Sequence, residues 1–536
     1  MGSVIKTERY KLLYLFAMLC FSFFIVHHYR DYTTLKGIVL VFLLLVALAF
    51  LVCYKYREDV KKNLHKVYFF LGMIFGLMYI VTIPVYCVPD EQVHYWATYN
   101  ISNDLLGIGV SDNDTLLMRA DDFALPVYVE NRTVSEFDSY LTDGIKNIRA
   151  TDTTLVDSGH EYTASISYCY FISALGLTLG RLLGLGSVYV FLLGRFFNLC
   201  IFMLGMAYAI KRAPIAKMGF FALGLFPIVL QEAASYSHDM LINLLSFLFI
   251  AMTLDFYARE REDRKLPELI LYGVILALLV PLKGYSYFLF MLFPLVICWK
   301  DYKTEKARGE TTGNKIIVKN KIWKSNIWKN RMLLSLVITV LYNILLVIYR
   351  HLGLAKSTSV TSGSIFGEHI IDWCKEPGYS IQTFIENPYL PFRILYKTMK
   401  EYFGEYWMDA IGHQLGWRNI DIPLYLTFIW MFLAAIMFMK RKEEASLISC
   451  RMKVLFTGIS ICVMGIVLMG LLFSWTPMVY DFIVGVQGRY FLPIVPLIFL
   501  VFRTEKIEIS ELYDKNLVDF TVFISAMVIF SVYTKF

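Results

Sequence analysis

Long apolar runs alternate along this chain with short basic clusters. Ile38 to Tyr54 with its flanks, and Val454 to Trp475, are windows of eighteen or more residues with almost no charge. Runs of that length suit a hydrocarbon slab about 30 Å thick. Within them the backbone must close its own hydrogen bonds, which a helix does. A membrane barrel would alternate apolar and polar residues, and these runs do not. The pattern predicts spans at roughly 11–28, 37–54, 67–88, 187–210, 214–231, 240–258, 267–281, 285–299, 332–350, 423–439, 452–474, 490–503 and 517–533. The expected fold class is therefore an all-α polytopic membrane protein of about 13 transmembrane helices, with two large loops. Residues 11–28 are read as a retained span, because no small-residue cleavage site follows them.

Composition agrees: 57% of the 536 residues are hydrophobic and 18% charged, against about a quarter charged in soluble domains. The net charge of +7 sits in short inter-span loops. There it reports orientation and not nucleic-acid binding. Lys55, Arg57, Lys61, Lys62 and Lys66 place the loop after the second span inside, and so place Asp90 outside. The stretch TASISYCYFISALGLTLGRLLG, Thr163 to Gly184, is apolar enough to cross. If it stays on the outer face as an amphipathic helix, the basic clusters at Lys211–Lys217, Arg259–Lys265, Lys300–Arg331 and Lys440–Lys442 all fall inside; the charge rule favours this arrangement. Two long outer segments then emerge, Pro89 to about Gly186 and His351 to Pro423, the second opening with KSTSVTSGS. The basic loop, with Trp323 and Trp328, reads as an anchor on anionic lipid. Nine cysteines show no CxxC pair, so neither a disulfide framework nor a zinc site is expected.

Polar residues at the span ends carry the candidate chemistry. In CVPDEQVHYW, Asp90, Glu91 and His94 follow a proline that ends or kinks the helix. They read either as a solvated turn supporting a new helix or as a base or metal ligand at the bilayer surface. Asp90 and His94, four apart, would share a helical face. EAASYSHDM places Glu232, Ser237, His238 and Asp239 on the same side. Lys283, in LLVPLKGYSYFLF, either snorkels or holds a phosphate as a point charge. Arg489, in VGVQGRYFLPIVP between Gly488 and Tyr490 and after Gln487, is an interfacial arginine or a bidentate phosphate ligand. Trp417, in DAIGHQLGWRNIDIP, is a belt residue or a sugar-stacking platform.

Taken in order, PDEQVH at Pro89–His94, S-x-D at Ser237 and Asp239, the lysine of LKGYSY, LGW at Leu415–Trp417 and VQGRYFLPIVP at Val486–Pro496 resemble the GT-C superfamily of membrane glycosyltransferases. Within it they resemble a bacterial family of predicted multi-spanning membrane proteins of unknown function. The resemblance covers roughly residues 67–503. Two added spans (1–66) precede that core, whose outer loops run about 89–186 and 351–422, and a C-terminal span (504–536) follows it. Three departures stand out. The histidine follows one residue early, two extra spans precede the acidic loop, and Gly284 stands where a proline would follow the lysine.

The resemblance implies a polyprenyl-phosphate sugar donor and catalysis on the extracytoplasmic face. On that reading Asp90, with Glu91 as alternate, is the catalytic base. Lys283, Arg489 and Gln487 hold the donor phosphate. His94, Ser237, Asp239, Trp417 and Tyr490 meet the acceptor or substrate. Asp90 and Asp239 permit a divalent cation, Mg or Mn, though no cofactor is required. The expected partners are a lipid-linked sugar, a glycan acceptor and membrane lipid, with a polyprenyl-phosphate sugar synthase and a flippase in the same pathway. The expected location is the bacterial cell membrane with the N-terminus cytoplasmic. The alternatives are a transporter or flippase of lipid-linked saccharides, with the same charges lining a path, and a scaffold in envelope assembly. No P-loop or dinucleotide fingerprint is present.

Overall fold

The computed structural model of the protein describes residues 9–125, 133–161, 167–311, 331–352, 367 and 369–535. The stretch KSTSVTSGS and both Trp323 and Trp328 lie outside these. In chain order the α-helices of six or more residues are α1 (Arg9–His28), α2 (Thr33–Lys55), α3 (Val60–Thr82), α4 (Glu91–Leu106), α5 (Val134–Lys146), α6 (Phe171–Leu182), α7 (Ser187–Arg212), α8 (Lys217–Leu223), α9 (Pro227–Ala233) and α10 (Asp239–Ala258). There follow α11 (Leu266–Leu279), α12 (Leu292–Thr311), α13 (Leu333–His351), α14 (Ile381–Glu386), α15 (Leu390–Asp409), α16 (Leu424–Phe438), α17 (Cys450–Ser474), α18 (Val495–Phe502) and α19 (Asp514–Tyr533).

The protein is a polytopic helical membrane protein. Among the described residues six helical stretches are long and apolar enough to cross: Thr33–Lys55, Arg57–Thr82, Ser187–Arg212, Asp239–Ala258, Cys450–Ser474 and Glu511–Tyr533. Six shorter apolar helices accompany them. Three of the predicted spans are broken, each for a local reason. The span at 214–231 splits into α8 and α9, because Pro227 holds Phe226 in an extended conformation (ψ 139°) and opens a new helix. The span at 285–299 starts with a left-handed corner, Lys283 (φ 47°), Gly284 (φ 62°) and Tyr285 (φ 64°), followed by a tight turn at Phe288–Met291. The span at 490–503 is a tight Gly488–Ile494 turn containing Pro493, and α18 follows it. In the same way α3 stops at Thr82, two residues before Pro84, instead of running to Val88. Helix α6 has 12 residues, about 18 Å at 1.5 Å each, and is too short to cross.

Described residues of the basic clusters meet at one end of the bundle. There Arg212 bonds Asp255 and Glu268, Arg264 pairs with Asp301 at 2.6 Å, and the Ala216 amide reaches Glu444 at 2.8 Å. Asp239 opens α10 at the other end, about 24 Å from Asp255 along the axis. The segment between α3 and α7 carries a small antiparallel ladder, β1 (Thr115–Arg119) with β2 (Leu155–Glu161). A second ladder, β3 (Gln414–Leu415) with β4 (Ile420–Asp421), presents the LGW tip.

Candidate active site

Ile83 to Asp90 is an irregular corner between α3 and α4, with Tyr86 and Asp90 both at φ 61°. A left-handed residue at a helix start cannot fold its side chain back onto the first turn in the usual way. Asp90 accordingly makes no capping bond and stays 55% exposed, 3.7 Å from Arg489 Nη2. Glu91, one residue on, turns inward. It is fully buried and accepts from Arg195 Nε at 2.8 Å and Nη2 at 2.6 Å. It also accepts from the Tyr236 amide at 3.2 Å. Arg195 completes its bonding on the carbonyls of Ile83 and Pro84. The corner is thus fastened to α7 through Glu91, while Asp90 is left facing the opening.

Arg489 sits where three acidic residues converge. Its Nη1 lies 3.2 Å from Glu232, its Nε 3.6 Å from Asp239 and its Nη2 3.7 Å from Asp90. Only the first of these is a hydrogen bond, and Arg489 Nε is buried without one. Lys283 Nζ reaches Asp239 at 2.8 Å and lies over the Tyr490 ring at 4.1 Å. The ring also flanks Arg489, 5.4 Å away. The left-handed corner at 283–285 is what turns the lysine back toward α10.

A string of neutral groups reaches the same carboxylate from the other side. Tyr170 OH lies 2.9 Å from His94 Nδ1, His94 Nε2 lies 3.2 Å from His238 Nδ1, and His238 Nε2 lies 3.5 Å from Asp239. One set of tautomers satisfies every link, with Tyr170 donating to His94, His94 to His238, and His238 to Asp239. Burial keeps both imidazoles neutral, pushing His94 well below the ordinary histidine range and His238 down to about 4.

Two further loops close on this centre. Gly416, at φ +58°, donates its amide to Gln231 Oε1 at 2.7 Å, and a Cβ there would lie 3.2 Å from the Cys87 carbonyl. Trp417 Nε1 then points at the Tyr86 carbonyl, 3.4 Å away, with the residue 40% exposed. Gly488 packs on the end of α15, where a Cβ would meet the Tyr406 carbonyl at 2.1 Å. Beside it Asp409 is buried, and burial together with nearby Asp421 pushes its carboxyl up to about 7. Arg418, 3.4 Å from Asp409, is shared with Glu405.

An apolar groove of about 870 Å³ opens at Lys283 and Tyr490 and runs down α17 past Ser474, Gly470 and Gly465 to Cys462. Its head is therefore polar and its length apolar.

The structure brings together Asp90, His94, Asp239, Lys283, Arg489 and Tyr490 from the sequence-predicted residues, with Trp417 on the adjoining corner. Gln487 precedes Arg489 and is half-buried. Ser237 is buried and accepts from the Asp239 amide at 3.2 Å, holding the start of α10. Glu91 stands apart, committed to Arg195. Asp90 and Asp239, the pair read as permitting a cation, converge on the Arg489 guanidinium, and no group of three metal-ligating side chains is found among the described residues. Arg195, Tyr170 and Gln231 were not singled out from the sequence. Arg195 had a usable signal, an arginine inside the apolar run SVYVFLLGRFFNLC.

A family described as predicted membrane protein (DUF2142) matches residues 69–498. The chain belongs to this family. The DUF2142 region contains every residue of the cluster, from Asp90 to Tyr490, and leaves α1, α2 and α19 outside. No curated protein and no solved structure matches the chain.

Proposed function

We propose that this DUF2142 protein is a membrane glycosyltransferase of the GT-C type. It would move a sugar from a polyprenyl-phosphate carrier to a cell-surface glycan at the extracytoplasmic face of a bacterial membrane. One observation carries the reading: Lys283 and Tyr490 head the apolar groove along α17 while Lys283 also touches the carboxylate cluster. A lipid phosphate with its tail along α17 arrives with its head at Lys283, and Arg489 stands behind Tyr490.

Of the three carboxylates, Glu232 is buried, Asp239 is held by Lys283, and Asp90 alone is substantially exposed. Asp90 is therefore the base. It takes the proton of an acceptor hydroxyl as the oxygen attacks the anomeric carbon. The bond from that carbon to the phosphate oxygen breaks on the opposite face, and the phosphate leaves with the electron pair. Lys283 and Arg489 stabilise the charge that grows there. A single displacement of this kind inverts the anomeric centre, by the logic that separates inverting from retaining hydrolases. Trp417 offers its exposed face to a sugar ring, and the Tyr170–His94–His238 string holds Asp239 in place. Glu91 takes no part in the chemistry.

A second reading, a flippase of lipid-linked saccharides, draws on the interrupted helices α8–α9 and Gly488–Phe502 beside the site, since transporters build binding sites from such breaks. Membrane vesicles supplied with a polyprenyl-phosphate sugar separate the two. Glycosidic product made by the wild-type protein and lost in Asp90→Asn supports the transferase. Translocation without product, or full transfer by a well-inserted Asp90→Asn, removes it.

A further inference from the structure

We infer that α14 and α15 form an interfacial platform that docks on the bilayer surface at the site end of the bundle. Ile385, Tyr389, Phe392 and Tyr396 are 67–72% exposed. Along α15 the positions 389, 392, 396, 400 and 403 recur every three to four residues and so share one helical face. That face is Tyr, Phe, Tyr, Lys and Phe, with Arg393 beside it. The opposite face carries Ile394, Thr398, Tyr406 and Asp409, all buried.

The occupant follows from where the pair is fastened. Tyr379, just before α14, donates to the Tyr480 carbonyl at 2.7 Å. Lys397 donates to Asp481 at 2.5 Å, and Thr398 Oγ1 accepts from the Ile483 amide at 2.9 Å. These partners lie just beyond Ser474, where α17 ends. Apolar side chains are also exposed at that end of α17, Trp475, Met478 and Val479, and at the start of α16, Leu424, Tyr425 and Phe428, as the end of a lipid-facing belt requires. The α15 face continues that belt. Tyrosines with polar tips are the side chains that settle at a headgroup boundary, and Arg393 and Lys400 suit anionic phosphates. Ile385 and Phe392, wholly apolar and about 70% exposed, favour lipid over a water-facing glycan.

The test uses the full chain in nanodiscs containing phosphatidylglycerol. Spin labels are placed at Phe392→Cys and Tyr396→Cys, with exposed Cys20, Cys450 and Cys462 changed to serine. Oxygen should relax both labels more strongly than a water-soluble nickel chelate, as at a Phe432→Cys control on α16, with the order reversed at Asp112→Cys. Nickel dominating at both positions would make the face a water-exposed or glycan-binding one and overturn the inference. Exclusion of both reagents with spin–spin broadening would assign it to a second copy and overturn it equally. The unsubstituted chain gives an independent readout. A diazirine-bearing lipid should label the Ile385–Tyr396 peptide along with α16, and labelling of α16 alone would refute the docking.

Discussion

Two arginine–carboxylate centres begin one peptide bond apart and are built to opposite specifications. At Glu91–Arg195 the pair is fully buried and bidentate, and the remaining donors end on backbone carbonyls. At Arg489 a single guanidinium is stretched over three carboxylates at 3.2–3.7 Å, and one of its nitrogens is left without a hydrogen bond. The first centre has nothing left to offer a ligand. The second is under-bonded and adjoins a groove. Closure suits a fold-holding pair and incompleteness leaves room for a ligand, even for neighbours as similar as aspartate and glutamate.

Removing one partner from the closed pair should give the largest effect. Glu91→Gln leaves the Arg195 charge buried without its counter-charge, which costs about 3–5 kcal/mol, seen as loss of monodisperse protein or of thermal stability in detergent. The double change Glu91→Leu with Arg195→Met should recover much of it. Asp90→Asn should leave stability within about 0.5 kcal/mol, as at an exposed site, while lowering sugar transfer by ~10²–10⁴-fold. If Asp90→Asn and Glu91→Gln behave alike, the contrast between the centres is wrong. Lys283→Met removes one charge-assisted contact, worth about 1.5–3 kcal/mol, and should weaken use of the lipid-phosphate donor by about ten- to a hundredfold, read as a lowered kcat/KM.

Smaller effects come from pH. Between pH 6.5 and about 4 native His238 stays neutral while the unfolded chain takes up a proton. Stability is therefore full above pH 6.5 and falls as pH drops through that window; His238→Gln should flatten the fall in melting temperature. Asp409 works in the other direction. Native Asp409 keeps its proton up to about pH 7 against an ordinary 3.8, so its contribution to stability is lost as pH rises toward 7. Asp409→Asn should raise the melting temperature by a few degrees at pH 8 and change it little at pH 4.

Much of this was legible in the sequence. Apolar run length located the six long apolar helices, because only helix solves the backbone problem in lipid. It could not see where helices break: Pro84 and Pro227 mark two breaks, but at 283–285 glycine marks only the middle of three left-handed residues. The site pieces stood out because ionisable residues at span ends are rare in so apolar a chain. Their sorting did not, since Asp90 and Glu91 differ in backbone direction and not in chemistry. Tyr170 had no signal at all: with 36 tyrosines in the chain, residue type discriminates nothing.

Gly284 limits what can stand after Lys283. Its φ of +62° is closed to proline, whose ring fixes φ near −65°. A sequence with Lys-Pro in this place would have to turn the corner with the other hand and bring its lysine to the carboxylates along a different path. The two dipeptides are therefore not interchangeable parts. Moving proline into this chain should dislodge Lys283 without touching any charged atom, and the reach of the lysine is inherited from a neighbour that has no side chain.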